Sequence, residues 1–207
     1  MTTSGTRRTR GTGHELRGIV LERATGLLAE LGDVDALTMR AVASASGVTP
    51  PSVYRHFLDK DTLVHAVIAA RFEEFTAILR VAAAASDRPM ARLEAMARTY
   101  VKWGLAQPGH YRVLFSATNA GPAGLGLPQQ TEHPGAQSYR TLVDAVAECL
   151  PGPHRDAAPV LATELWASLH GIVDLRITKP EMPWPGWDQL VDAALTAVRS
   201  AAANSSP

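Results

Sequence analysis

Between Leu37 and Lys60 the chain reads LTMRAVASASGVTPPSVYRHFLDK, a spacing that admits few folds. Met39, Val42 and Ala43 share one face of a short helix running from Thr38 to Ala45. Gly47 follows it, where a helix that turns sharply needs a left-handed residue. Val48 can plug the corner. Thr49 is placed to cap a second helix and Pro50 suits that helix's first position. Pro51 removes another donor, leaving the Ser52 N–H for Thr49 to cap. It also biases Pro50 away from helical ψ, so a tight or irregular first turn is expected. Val53 and Phe57, at i and i+4, face inward, while Ser52, Tyr54, Arg55 and His56 stay outside. Asp59 then caps a third helix, and Asp61 suits its positive end.

Two short helices joined by a Gly-containing turn make a helix-turn-helix, which places its second helix in a DNA major groove. The same pattern also describes an ordinary corner between packed helices. The finer spelling separates the two: Leu37-Thr38-x-Arg40, Ala43, Gly47-Val48, Ser52-Val53-Tyr54-Arg55-His56-Phe57 and Asp59-Lys60-x-x-Leu63. These residues resemble the TetR family of transcriptional regulators. The close match covers about the first third of the chain, and the remainder is similar only as a run of helices with one weaker motif.

The resemblance implies an all-α fold of about nine helices. A three-helix helix-turn-helix domain at 14–60 would precede a helical ligand-binding and dimerisation domain at 61–203. Residues 1–13 would form a disordered basic arm and 204–207 a disordered tail. The arm reads in two ways, as a segment that follows phosphates or enters the minor groove, or as an inert tail.

A chain of 207 residues suits one large domain or two small ones. No run approaches the ~18 apolar residues of a membrane span. The basic start has no apolar segment behind it, so it does not read as a secretory signal and no membrane partner is expected. The one cysteine, Cys149, allows no internal disulfide and fits a reducing cytoplasm. The formal net charge is +0, so DNA binding requires positive charge concentrated locally. Arg7, Arg8, Arg10 and Arg17 supply it, against Glu15 alone.

Helical periodicity continues along the chain. One amphipathic helix, from His14 to Leu31, carries Leu16, Ile19, Val20, Ala24, Leu27, Leu28 and Leu31 on a single stripe. A long connector helix begins at Lys60 and reaches toward Ala85. Helices over Met90–Ala106, Tyr111–Ala117, Ala136–Leu150, Asp156–Ile177 and Asp188–Ala203 complete the layout, with a period-free Gly/Pro stretch at Asn119–Gly135. The Asp156–Ile177 helix is apolar around most of its circumference, so it is either a central core helix or an interface with a second copy. The resemblance favours the interface, with the last two long helices pairing in a homodimer.

On the DNA side, a guanidinium matches guanine O6/N7, which makes Arg55 the base-reading candidate. Thr49, Pro50, Pro51 and Ser52 start the same helix and can add contacts. Tyr54, His56 and Lys60 would hold phosphates, with Thr38 and Arg40 nearby. Tyr54 and His56 could equally pack at the corner, and the Pro50-Pro51 pair departs from the family's commoner polar helix start. On the ligand side, Met96, Tyr100, Trp103 and Tyr111 are candidates to line an apolar cavity. So are Phe115, Trp166, His170 and Met182, although aromatics at helical spacing also make ordinary cores. Gly109-His110-Tyr111-Arg112-x-Leu114-Phe115 and Trp166-x-x-x-His170-Gly171 are similar to the regulatory domain of a TetR subfamily with a Trp/His-Gly motif.

No Gly-x-Ser-x-Gly or His-Glu-x-x-His sequence is present, and the seven histidines show no metal-ligand spacing with Cys149. No cofactor, metal or catalytic residue is expected. The resulting expectation is a cytoplasmic homodimer that binds a double-stranded DNA operator, most simply a repressor released by an unknown small apolar or aromatic effector. The alternative is an all-α binding or interaction module without sequence-specific readout.

Overall fold

A computed structural model describes residues 13–115 and 132–203, and every regular element within them is helical. The expected arm, the tail, Ser116–Ala117 and most of the Gly/Pro stretch lie outside the described residues. Helix α1 spans Gly13–Leu31 and stops at Gly32, whose φ is 66°. Val20, Ala24 and Leu28 are buried, but Ile19 and Leu31, placed on the same stripe by their spacing, are each 45% exposed. The buried face is narrower than the sequence suggests: among the described residues α2, α4 and α6 form its main packing partners.

Helix α2 covers Met39–Ala45, and its first turn is held by the Thr38 hydroxyl accepting from the Ala41 N–H at 3.1 Å. Gly47 takes φ 67°, so the chain reverses there without the Cβ clash another residue would suffer. Helix α3, Pro50–Tyr54, corrects one expectation: the Thr49 side chain makes no cap bond. The Ser52 N–H, the only nearby donor the two prolines leave, already bonds the Thr49 carbonyl at 2.9 Å. The Thr49 hydroxyl therefore turns to the Ser52 hydroxyl, 3.1 Å away.

Helix α4, Lys60–Ala83, begins with the Asp59 carboxylate accepting from the Thr62 N–H at 2.7 Å. Helix α5 spans Pro89–Ala106 and α6 spans Pro108–Phe115. The start of α6 precedes Tyr111 because the Tyr111 N–H already bonds the Gln107 carbonyl at 2.9 Å, a helical bond. Helix α7 is Ala136–Cys149, a 3-10 turn covers Gly152–Ala157, and α8 is Ala158–Thr178. The last helix, α9, runs over Trp187–Ala194 and continues past Leu195 as Thr196–Ala203. Leu195 and Arg199 both keep i−4 backbone bonds across that point.

The buried residues form one continuous cluster from Val20 in α1 to Val198 in α9. Helix α5 is its hub, lying against α4, α7, α8 and α9. A partly exposed network of Arg98, Glu94, Asp192 and Arg199 pins α5 to α9. The hub fits because of Gly104: a Cβ there would lie 2.7 Å from Val173 Cγ1 and 2.9 Å from Tyr111 Cδ2.

Gly104 and Gly18 predict opposite outcomes for the same change. Gly18→Ala meets nothing within 4 Å and gains helix propensity, so unfolding should become harder by about 0.5–1 kcal/mol. Gly104→Ala overpacks a stiff valine and a hydrogen-bonded tyrosine, so it should destabilise by about 1–3 kcal/mol. Urea denaturation of both variants measures the two signs.

Candidate functional site

The outer face of the helix-turn-helix is a short polar row. Thr49, Ser52 and Arg55 recur every third residue, and an Arg55 Nη donates to the Ser52 hydroxyl at 3.1 Å. Pro51, Tyr54 and Arg55 are exposed, as are Thr38 and Arg40 beside them, while Pro50, Ser52 and His56 are half-buried. Val53 and Phe57, 0% and 2% exposed, anchor the row from behind. Arg17, counted above among the local positive charges, lies over the Phe57 ring at 5.1 Å. Lys60 also departs from its expected place: its ammonium donates to the Val34 carbonyl at 3.3 Å and lies 3.7 Å from Asp35. It ties the loop before α2 to the start of α4 rather than joining the outer row.

A cavity of about 490 Å³ opens among α4, α5, α6, α7 and α8. Met96, Tyr100, Phe115, Trp166 and His170 line it. Trp103 stands behind Phe75, their rings 4.7 Å apart. Tyr111 stands behind His170, stacked at 5.6 Å. Met182, 53% exposed, lies in the loop after α8 and takes no part. Wall residues absent from the expected set include Phe72, Phe75 and Leu79 of α4, and Tyr139, Leu142 and Thr163 opposite. Their helical spacing marks an inward face but cannot say that part of that face meets space instead of neighbours. Gly135 completes the wall, since a Cβ there would sit 2.8 Å from Phe72 Cζ.

The cavity's polar groups are few and mutually bonded. The Tyr111 hydroxyl lies 2.6 Å from His170 Nδ1 and 3.2 Å from the Tyr100 hydroxyl. Tyr139 and Thr163 share a bond of 2.9 Å. Burial pushes both the Tyr100 and Tyr111 hydroxyls far above the ordinary tyrosine range, so they stay protonated. Cys149 donates to the Ala145 carbonyl at 3.3 Å, and burial raises its thiol to about 11, so it is an inert protonated group at neutral pH. Among the described residues no cluster of three or more His, Cys, Asp or Glu could hold a metal ion, and no helix is long and apolar enough to cross a membrane.

His170 gives the site a pH signature. Burial holds its pKa below the ordinary 6.5, against the opposing pull of Asp174. In the unfolded chain the ring takes up a proton more readily, so below pH 6.5 the unfolded state binds more protons and folding loses stability. The melting temperature should fall on going from about pH 7.5 to about pH 5.5, and should fall less in His170→Gln.

Sequence comparison agrees with the geometry. The family described as "Bacterial regulatory proteins, tetR family" matches residues 20–67, and "Tetracyclin repressor-like, C-terminal domain" matches residues 93–198. No curated protein matches the chain significantly. Similar solved structures include a protein of unknown function from Rhodococcus sp. RHA1, 26% identical, covering 95% of this chain and 98% of its own at a TM-score of 0.73. A TetR family transcription regulator from Marinobacter aquaeolei VT8 is 18% identical, with coverage of 91% and 95% and a TM-score of 0.66. SmeT, the repressor of the Stenotrophomonas maltophilia multidrug efflux pump SmeDEF, is 17% identical, with coverage of 87% and 89% and a TM-score of 0.59. With a helix-turn-helix that exposes a polar row, and with family matches over both its N-terminal unit and its helical remainder, the chain belongs to the TetR family of transcriptional regulators.

Proposed function

We propose that the protein is a homodimeric, ligand-responsive repressor that leaves a palindromic DNA operator when a small apolar ligand fills the cavity. Residues 14–60 read DNA, and 61–203 bind the ligand and dimerise. Each α3 enters a major groove, and the two half-sites lie about one helical turn, ~34–36 Å, apart. Arg55 reads a base edge; Thr49, Pro50, Pro51 and Ser52 contribute contacts at the helix start, and Tyr54, His56, Thr38 and Arg40 position the phosphates. Lys60 drops out of this set because its ammonium is engaged internally. The single observation that carries the reading is the reach of α4, whose buried face supports the reading row through Leu63 and walls the cavity through Phe72 and Phe75. SmeT's role as a repressor supports the sign of regulation.

The dimer is supported by two unpartnered faces. On α8, Val160 is 71% and Leu175 44% exposed, with Ala167 and Gly171 between them at helical spacing. A Cβ at Gly171 would meet nothing within 4 Å, so a second backbone can approach there. On α9, Ala193, Thr196, Ser200 and Ala203 form a flat exposed face of small residues. Two copies of α8 and α9 would then pack as a four-helix interface. Gly171→Leu should shift the protein toward monomer in sedimentation at micromolar concentration while leaving its helical circular dichroism intact.

The deciding experiment titrates the protein against duplex DNA flanking its own gene, at two salt concentrations and with excess unrelated duplex. Saturable binding should survive the competitor, and Arg55→Ala should weaken it by about 1–3 kcal/mol, roughly five- to 150-fold. Equal, salt-labile binding to every duplex would contradict sequence-specific readout and leave only the phosphate contribution.

A further inference from the structure

The cavity's wall states what charge and which polar group its occupant carries. Among the described residues no Asp, Glu, Lys or Arg lines it, and its ionisable side chains besides the tyrosines are His133 and His170. Residues 116–131, which follow α6 in sequence, contain no ionisable side chain at all. Asp174, one turn beyond His170 and outside the lining, acts electrostatically on His170 and Tyr111. A charged ligand entering here would lose its water and gain no counter-ion.

The hydrogens of the polar chain can be placed by accounting for donors and acceptors. The Tyr100 hydroxyl passes its hydrogen to the Tyr111 hydroxyl, 3.2 Å away. Of the two acceptors that the Tyr111 hydroxyl meets, His170 Nδ1 at 2.6 Å is closer than the His170 carbonyl at 3.4 Å and takes its hydrogen. In the reverse direction the Tyr100 hydrogen has no acceptor among the described residues. With Nδ1 accepting in a neutral ring, the ring hydrogen sits on Nε2. That nitrogen has no hydrogen-bond partner among the described residues. The ring itself lines the cavity. Among the described residues the wall thus offers the His170 ring N–H, set by the hydroxyl of Tyr111, beside the His133 ring, whose Nδ1 accepts from the Gly135 N–H, and the Ser138, Tyr139 and Thr163 hydroxyls, in an otherwise apolar surface.

We propose that the effector is an uncharged molecule with an aromatic body and a carbonyl-type acceptor, and that the Nε2–H of His170 holds that acceptor. The proposal rests on the ligand-responsive reading above and names the chemistry of that same site.

Four probes built on one frame test it by quenching of tryptophan fluorescence in the full chain: benzophenone, 4-benzoylbenzoate, 4-(aminomethyl)benzophenone and diphenylmethane. Benzophenone should bind at least about tenfold more tightly than its anionic and cationic analogues. It should also bind roughly three- to tenfold more tightly than diphenylmethane, which lacks the acceptor. In His170→Phe the preference for the ketone over diphenylmethane should vanish while diphenylmethane still binds, which shows the cavity intact. Tighter binding of either charged analogue, a ketone preference that survives His170→Phe, or binding of none of the four overturns the proposal. Operator binding by the unliganded protein does not depend on these probes. Loss of operator recognition therefore defeats the regulator reading alone, and a failed charge ranking defeats this one alone.

Discussion

Leu63, Val64, Val67, Ile68, Phe72, Phe75, Thr76 and Leu79 lie along one side of α4, and all are buried. The first of them complete the small core beneath the helix-turn-helix, and Phe72, Phe75 and Leu79 reach the cavity. A helix rises 1.5 Å per residue, so Leu63 and Phe75 are roughly 18 Å apart on one rigid rod. A close-packed interior transmits displacement and does not absorb it. A second path runs beside it. The start of α6 lies on α1 so closely that a Cβ at Gly109 would be 2.8 Å from the Ala29 carbonyl. The end of α6 places Phe115 in the cavity wall. The reading row and the cavity therefore share two inflexible connections.

The cavity is framed by aromatic pairs that fix its shape. Phe72 meets Phe115 edge-on at 5.6 Å, and Phe75 meets Tyr100 at 5.4 Å. Such edge-to-face contacts add to simple area burial and hold rings in defined orientations. Thr76 bonds back to the Phe72 carbonyl at 2.7 Å and reaches Ser138, which joins α4 to α7. What remains open is a largely apolar space with a few hydrogen-bonded polar groups in its wall.

Much of the helix-turn-helix was legible because each step has a local cause. Gly47 turns left-handed, Asp59 caps α4, and Val53 and Phe57 face inward for reasons contained within a few neighbouring residues. The cavity was only partly legible. Met96, Tyr100, Phe115, Trp166 and His170 reach it, but Met182 does not, and Phe72 and Phe75 look in sequence like plain core. Whether an inward side chain meets a neighbour or a void depends on five helices at once. Lys60 and Arg17 have contacts that the sequence does not reveal, for a related reason. Each is a cation in a basic neighbourhood, but one finds a carbonyl across a loop and the other an aromatic ring. The continuous apolar character of α8 was plain in sequence. Its division into Leu165, Leu169 and Val173 inside and Val160 and Leu175 outside comes from packing against α5.

The shared frame of α4 and α6 is tested most directly by amide hydrogen exchange of the protein with and without its operator duplex. Binding free energies at coupled sites are reciprocal, so in the proposed mechanism DNA held at α3 alters the cavity region as well. The coupling described here predicts slowed exchange along α4 as far as Phe72–Leu79 and through α6, in addition to protection at α2 and α3. Protection confined to α2, α3 and the first turn of α4 would contradict it and leave the cavity and the reading row as independent parts of one fold.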